Sequence, residues 1–209
     1  MKIILYGAQG SGKGTTGKIL SQKLGIPLIS TGDLLRGLKP GDEHYEVFQK
    51  MMNAGGFENQ DLIAEMLKKR LSEPDCLQGF ILDGWGRKLV DIELYNPQVD
   101  FAINLVVSRE MSVKRIIGRR ICPKDNFMCN IFFRKPKVDG KCDICGGDLI
   151  KREDDTEDAV NARLNTFYSE TILVINKYKE EGKLIEVSAE GIAEDTAQAI
   201  LSLLPHDLS

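Results

Sequence analysis

The sequence predicts an α/β fold, a five-stranded parallel sheet with helices on both faces, interrupted by two insertions. Three observations predict it. The short apolar runs KIILY, PLIS, FILD, FAINLVV and KLIEVS alternate with longer amphipathic stretches. Runs this rich in Ile, Leu and Val belong to strands buried on both faces. The first run opens directly into a glycine-rich loop followed by a helix-patterned segment. Finally, residues 31–60 and about 119–155 break the alternation, which leaves 1–30, 61–118 and 156–209 as the core.

Composition sets the outer bounds. A chain of 209 residues with 42% apolar and 28% charged content is long enough for a substantial core. A formal net charge of -3 gives no global reason to expect nucleic acid or an anionic membrane as partner. The apolar run Ile3 to Tyr6 is too short for a signal peptide, and no stretch approaches the ~18 apolar residues of a membrane span. A cytoplasmic protein, monomeric by default, is expected.

In the core, Leu62, Ile63, Met66, Leu67 and Leu71 share one helical face. A longer helix is expected from about Thr156 to Glu181, with Asp155 or Thr156 as N-cap and Gly182 just past its end. The first insertion carries a Lys-Pro-Gly-Asp turn and the pair Gly55-Gly56. The second holds Cys122, Cys129, Cys142 and Cys145 and little helical periodicity, so it reads as a small, separately stabilised module. In a reducing compartment such a cluster points to a metal more than to disulfides.

The loop after the first strand, Gly7 to Thr15, holds the G-x-x-x-x-G-K pattern between strand and helix. Glycines let consecutive N–H groups turn inward onto phosphate oxygens, the helix N-terminus adds a favourable field, and Lys13 can reach the β- and γ-phosphates. Gly14 stands where a Ser or Thr usually follows the lysine. The hydroxyl that would ligate Mg²⁺ is therefore missing, and the metal must lean on phosphates, waters and a distant carboxylate. Asp83, at the end of Phe80-Ile81-Leu82, lies in the crevice where open α/β sheets bind ligands and suits that role.

With these residues in view, the chain resembles adenylate kinases over nearly its whole length. Gly12-Lys13-Gly14-Thr15, Thr31-Gly32-Asp33-Leu34-Leu35-Arg36 and Gly79 to Arg87 are similar to three of that family's motifs. Arg115 to Arg120 and Arg152-Glu153-Asp154-Asp155, with Arg163 beyond, resemble the segments that open and close its lid. The resemblance implies reversible phosphoryl transfer from Mg·ATP to AMP, giving two ADP. It implies an ATP site of Gly10, Ser11, Gly12, Lys13, Gly14, Thr15, Arg115 and Arg119, with Asp83 serving the Mg²⁺ shell. The implied acceptor site is Thr31, Arg36, Glu58, Gly84, Arg87, Asp91, Arg152 and Arg163. Residues 31–60 become an AMP-binding flap and 119–155 a lid. Phosphoryl transfer needs many cationic donors and no acid–base pair, and a chain with two histidines and these arginines fits.

Cys142-x-x-Cys145 is half a zinc knuckle, but Asp125 stands where Cys122 would find its second thiol. The register otherwise matches zinc-bearing lids of the family. Zn²⁺ accepts carboxylate oxygen, so Cys122, Asp125, Cys142 and Cys145 are the expected ligands of a structural Zn²⁺, with Cys129 the rival to Asp125. One departure touches the acceptor base. Four residues after the phosphate-binding Arg the family usually carries Gln, and here stands Asp91, in a segment about three residues shorter. An ionised carboxylate only accepts, which would weaken discrimination against GMP. Alternatively the shortened helix turns Asp91 toward solvent, and backbone near Gly56 and Glu58 reads adenine. A relaxed acceptor base, a nucleotide-driven switch and a zinc-finger nucleic-acid module are the competing readings. A switch has no use for a second phosphate site, and the module does not explain the phosphate loop.

Overall fold

The computed structural model describes residues 1–48, 59–125, 127–151, 155 and 157–205. Five strands, β1 (Lys2–Gly7), β2 (Leu28–Ser30), β3 (Phe80–Asp83), β4 (Phe101–Val106) and β7 (Leu184–Ser188), form one sheet in the order β2-β3-β1-β4-β7. Every pairing is parallel, so the expected sheet is present. The chain turns from one side of β1 to the other between β3 and β4, which makes the C-terminal end of β1 a ligand crevice by topology alone. Register places Asp83 opposite Leu5 on one side and Ser30 on the other.

Side chains of β1 alternate between two cores. Ile4 and Tyr6 pack against α3 (Gln60–Leu71) and α7 (Ile172–Glu180) through Ile63, Leu67, Val174, Ile175 and Tyr178. Ile3 and Leu5 pack against α1 (Lys13–Leu24) and α8 (Ala193–Leu203) through Leu20, Ala197 and Ile200. The predicted face of α3 is buried or half-buried throughout, and Asn59 caps it by accepting the Leu62 N–H at 3.0 Å. Among the described residues no helix is long and apolar enough to cross a membrane.

The long C-terminal helix differs from expectation. It runs as α6 (Glu157–Thr166), a π-helical turn Phe167–Thr171, then α7. The Ile172 N–H reaches back five residues to the Phe167 carbonyl. Gly182 ends it in a left-handed conformation (φ 69°), as expected.

Between α5 (Arg109–Gly118) and α6 lies the small module, an antiparallel pair of β5 (Arg119–Ile121) and β6 (Met128–Asn130), with further bridges Ile121–Ile150 and Lys141–Asp148. Among its described residues the buried ones are Cys122, Cys129, Cys142 and, at its base, Asp155, while Phe132, Phe133, Val138, Ile144 and Ile150 are exposed. A buried aliphatic side chain contributes roughly 1.5–3 kcal/mol, and the module has none. Its stability needs another source.

After β3 the chain turns at Gly84 and Gly86, both left-handed, before the short α4 (Leu89–Leu94). At Gly86 (φ 68°) a Cβ would lie 2.6 Å from Ile92 Cδ1 and 2.8 Å from the Tyr6 hydroxyl oxygen. Gly86→Ala therefore combines backbone strain with overpacking and should cost about 2–4 kcal/mol. Calorimetry should show a fall in Tm of roughly 5–15 °C; an unchanged Tm would contradict this packing.

Candidate active site

The phosphate-loop sequence forms a tight turn between β1 and α1. Gly10 (φ 87°) and Gly12 (φ 93°) are left-handed, and a Cβ on Gly10 would come within 2.6 Å of the Ser112 carbonyl. Only glycine permits that approach. The Ser112 hydroxyl donates to the Gln9 carbonyl and ties the loop to α5. Ser11 is 2% exposed and its hydroxyl has no protein partner. Lys13 opens α1 and donates from Nζ to the carbonyls of Gly7 (2.6 Å) and Ala8 (3.2 Å). Gly14 and Thr15 complete the helix's first turn, whose N–H groups have no helical acceptor. The loop thus offers amides, a hydroxyl and an ammonium to an anion.

A ring of charge surrounds it. Burial lowers the pKa of Lys13; the Asp83 carboxylate opposes this, and the Arg87 and Arg119 guanidinium groups add to it. Burial raises the Asp83 carboxyl, against the pull of Lys13 and Arg87. Arg87 is open to solvent along the cleft. Even so, the surrounding protein lowers its pKa by desolvation, opposed by Asp83 and reinforced by Arg163. The structure therefore gathers Lys13, Asp83, Arg87, Arg119 and Arg163 within reach of one another's fields. At the neighbouring strand end, buried Thr31 donates to the Asp83 carbonyl at 3.4 Å. Gly84 leaves room for it, since a Cβ there would sit 2.5 Å from the Thr31 hydroxyl.

The other arginines have partners that they can give up or keep. Arg36 pairs with Asp33 at 2.6 Å, with both side chains more than half exposed. Such a pair is worth at most about 1 kcal/mol and yields readily to a phosphate. Arg115 spends its donors on the carbonyls of Glu190 (3.1 Å), Gly191 (2.7 Å) and Gly10 (3.4 Å). Arg119, at the start of the module, forks onto Asp155, with Nε 2.9 Å from Oδ2 and a second nitrogen on Oδ1. The Asp155 side chain is fully buried, so this bidentate pair is strong. Arg152 and Glu58 lie outside the described residues.

In the module, ligand atoms of Cys122, Asp125, Cys142 and Cys145 all lie within 4.8 Å of one another. The Cys122 and Cys145 sulfurs are 3.5 Å apart, and Asp125 Oδ2 is 3.2 Å from the Cys142 sulfur. Tetrahedral zinc with ordinary bond lengths spaces such atoms about 3.5–3.8 Å apart, so donor set and spacing fit a metal. The Ile144 N–H points at the Cys142 sulfur (3.4 Å). Hydrogen bonds from the Cys145 thiol, then from the Phe127 N–H, hold Asp125 down at about 2. The same carboxylate pushes Cys145 up to about 12. Cys129, buried on β6, does not belong to this group.

A family model for adenylate kinase matches residues 5–183, a stretch that includes every candidate site residue. The chain belongs to the adenylate kinase family. The adenylate kinase of Acetivibrio thermocellus is 38% identical over 98% of each chain. That of Archaeoglobus fulgidus is 37% identical over 98% of each. The Streptomyces avermitilis protein is 35% identical over 99% of this chain and 98% of its own. Members of the family are nucleoside-monophosphate kinases, so the chain is an enzyme of that class, and the two strand-end clusters are the features to match to its two nucleotides.

Asp91 is not turned to solvent. It is 2% exposed, and Oδ2 accepts the Lys88 N–H at 3.0 Å, capping α4. Oδ1 is buried without a hydrogen-bond partner among the described residues, and the ring pair Tyr6 and Tyr178 lies nearby. Sequence reasoning also missed the partner of Arg119, although Asp155 was visible in a motif. Ser112, Thr171 and Gly86 carried no signal of their positioning contacts, which join segments far apart in the chain.

Burial raises the Asp91 pKa, only partly offset by the N–H groups of Lys88 and Arg87. A carboxyl raised on folding stabilises the protein fully below the usual carboxylate range, and that contribution is lost as pH rises through the raised value. Asp91→Asn keeps an acceptor for Lys88 without the charge. Its Tm relative to wild type should therefore improve from pH 4 to pH 7.5 in thermal melts; a pH-independent difference would contradict the shift.

Proposed function

We propose that the chain transfers the γ-phosphoryl group of Mg·ATP to AMP, giving two ADP, at the C-terminal edge of the sheet. The observation that carries this reading is the convergence of Lys13, Asp83 and Arg87 between a phosphate loop and a second strand-end cluster. One phosphate site would serve a switch; two adjacent ones serve transfer between nucleotides. Family membership and the relatives' activity agree.

In this reading the loop amides, Ser11 and Lys13 hold the β- and γ-phosphates of ATP. Lys13 exchanges its two loop carbonyls for phosphate oxygens. Thr31, Arg36 and Arg87 orient the acceptor phosphate, with Arg152 expected to join them. An oxygen of that phosphate, already ionised, attacks the γ-phosphorus as the bond to the β,γ-bridging oxygen breaks, so no general base is required. Arg119 and Arg163 stabilise charge on the transferred group. Asp83, a half-buried carboxylate within the field of Lys13, suits the water shell of Mg²⁺, which when bound would neutralise charge on the β- and γ-phosphates.

Residues 31–60 act as acceptor flap and 119–155 as lid, assembling the arginines only when both nucleotides are present and so disfavouring hydrolysis. Cys122, Asp125, Cys142 and Cys145 hold a structural Zn²⁺ that substitutes for the core the lid lacks. Thiols in such a set suit a reducing compartment, which supports a cytoplasmic location.

Lys13→Ala should lower turnover by about 10²-fold or more in a folded protein. Coupled assays should show this with AMP as the preferred acceptor over GMP, CMP and UMP; near-wild-type turnover, or preference for another acceptor, would sink the assignment.

Metal analysis should find about one zinc per chain, and chelation should lower Tm. Asp125→Ala should release metal more readily than Cys129→Ala; the reverse ranking would make Cys129 the fourth ligand.

A further inference from the structure

The π turn Phe167–Thr171 interrupts an otherwise regular helix at a place where the apolar pattern demands nothing unusual. Turns of this kind inside α-helices recur at functional positions, and the contacts of this one are specific. Thr171 is 5% exposed, and its hydroxyl donates to the Arg87 carbonyl at 2.9 Å, across 84 residues of sequence. Beside it, Glu170 pairs with Lys88 Nζ at 2.9 Å.

Three neighbouring or comparable helical hydroxyls do something different, although Ser112 and Thr31 also reach carbonyls distant in sequence. Thr166 donates to the Ala162 carbonyl (3.1 Å), Ser169 to Asn165 (2.9 Å) and Thr196 to Ile192 (3.2 Å), each four residues back in its own helix. That is the ordinary resort of a helical Ser or Thr. Thr171 instead leaves its helix and satisfies a carbonyl in the turn after β3.

That carbonyl belongs to one particular peptide unit. The C=O of Arg87 and the N–H of Lys88 are its two polar ends; Thr171 holds the first and Asp91 Oδ2, at 3.0 Å, the second. With both ends held, the peptide plane cannot rotate, and the direction in which the Arg87 side chain leaves the backbone is set. The Arg87 guanidinium lies within the fields of Asp83 and Arg163, with one nitrogen 3.9 Å from where a Cβ on Gly84 would sit. A guanidinium that must meet a phosphate gains from such fixing, because small displacements of a positioning group are costly in rate.

We propose that Thr171, delivered by the π turn, is a positioning residue for Arg87 and thereby for the acceptor phosphate. The proposal rests on the reading of Arg87 as the acceptor-phosphate ligand. Steady-state kinetics on the full-length enzyme test both. Arg87→Ala should lower kcat/KM for AMP strongly; if it does not, the reading of Arg87 fails and the proposal with it.

Thr171→Val, which keeps the shape and removes the hydroxyl, should lower kcat/KM for AMP by roughly tenfold and leave KM for ATP within about twofold. Thr171→Ser should restore the AMP value. In an Arg87→Ala background Thr171→Val should have little further effect. Should the valine variant not fold, Thr171→Ala provides the same comparison. Wild-type AMP kinetics in a folded hydroxyl-less variant, alongside an impaired Arg87→Ala, would overturn the proposal alone. A serine variant as impaired as valine, or an undiminished valine effect without Arg87, would overturn it too.

Discussion

Desolvated charge governs this molecule. Lys13 and Asp83 are half-buried and Arg87 is exposed, yet the protein around each displaces enough water to move its pKa toward the neutral form. Mutual attraction repays part of the cost, and two loop carbonyls occupy the lysine. Such an arrangement is not what a fold would choose for its own stability. It is maintained because five parallel strands end at one edge and deliver the groups there whether or not a ligand is present. Nucleotide phosphates supply the negative charge that the cluster lacks, so binding energy goes partly into relieving a cost already incurred on folding.

The same economy shapes the module from 119 to 151. It exposes Phe132, Phe133, Val138, Ile144 and Ile150 while burying Cys122, Cys129 and Cys142, and the Arg119–Asp155 fork braces its base. That fork places Arg119, whose field reaches Lys13, at the point where the module joins the core. A rigid-body movement of the module would carry Arg119 with it only if Asp155 moved as well. The pair therefore links the orientation of the arginine to the posture of the whole segment.

Much of this was legible in the sequence, for reasons that can be named. Parallel strands favour runs of Ile, Leu and Val, and such runs mark all five, even edge strand β7, where Glu186 interrupts. The phosphate loop is a local device whose glycines are fixed by backbone geometry, and the knuckle register is likewise local. What stayed hidden depends on contacts between distant segments. The π turn left no trace because Val160, Leu164, Val174, Ile175 and Tyr178 fall on one face for an ordinary α-helical pitch. Asp91 is a further case: position relative to Arg87 suggested base recognition or solvent, whereas burial near Tyr6 and a bond to the Lys88 N–H were set by how α4 packs against α3 in the core. The link between Thr171 and Arg87 belongs to the same class.

The turn that carries Arg87 also carries the chain's one tryptophan. Trp85 is 1% exposed, donates from Nε1 to the Tyr95 carbonyl at 2.9 Å and lies 6.4 Å from the Tyr95 ring, centre to centre. Emission excited in the indole band thus comes from a single fluorophore seated in the turn after β3, remote in sequence from the thiol-bearing module. An indole so shielded from water emits at short wavelength, and any loosening of that turn shifts the emission to the red. The protein contains its own optical gauge of that turn, one that needs no label and no added residue.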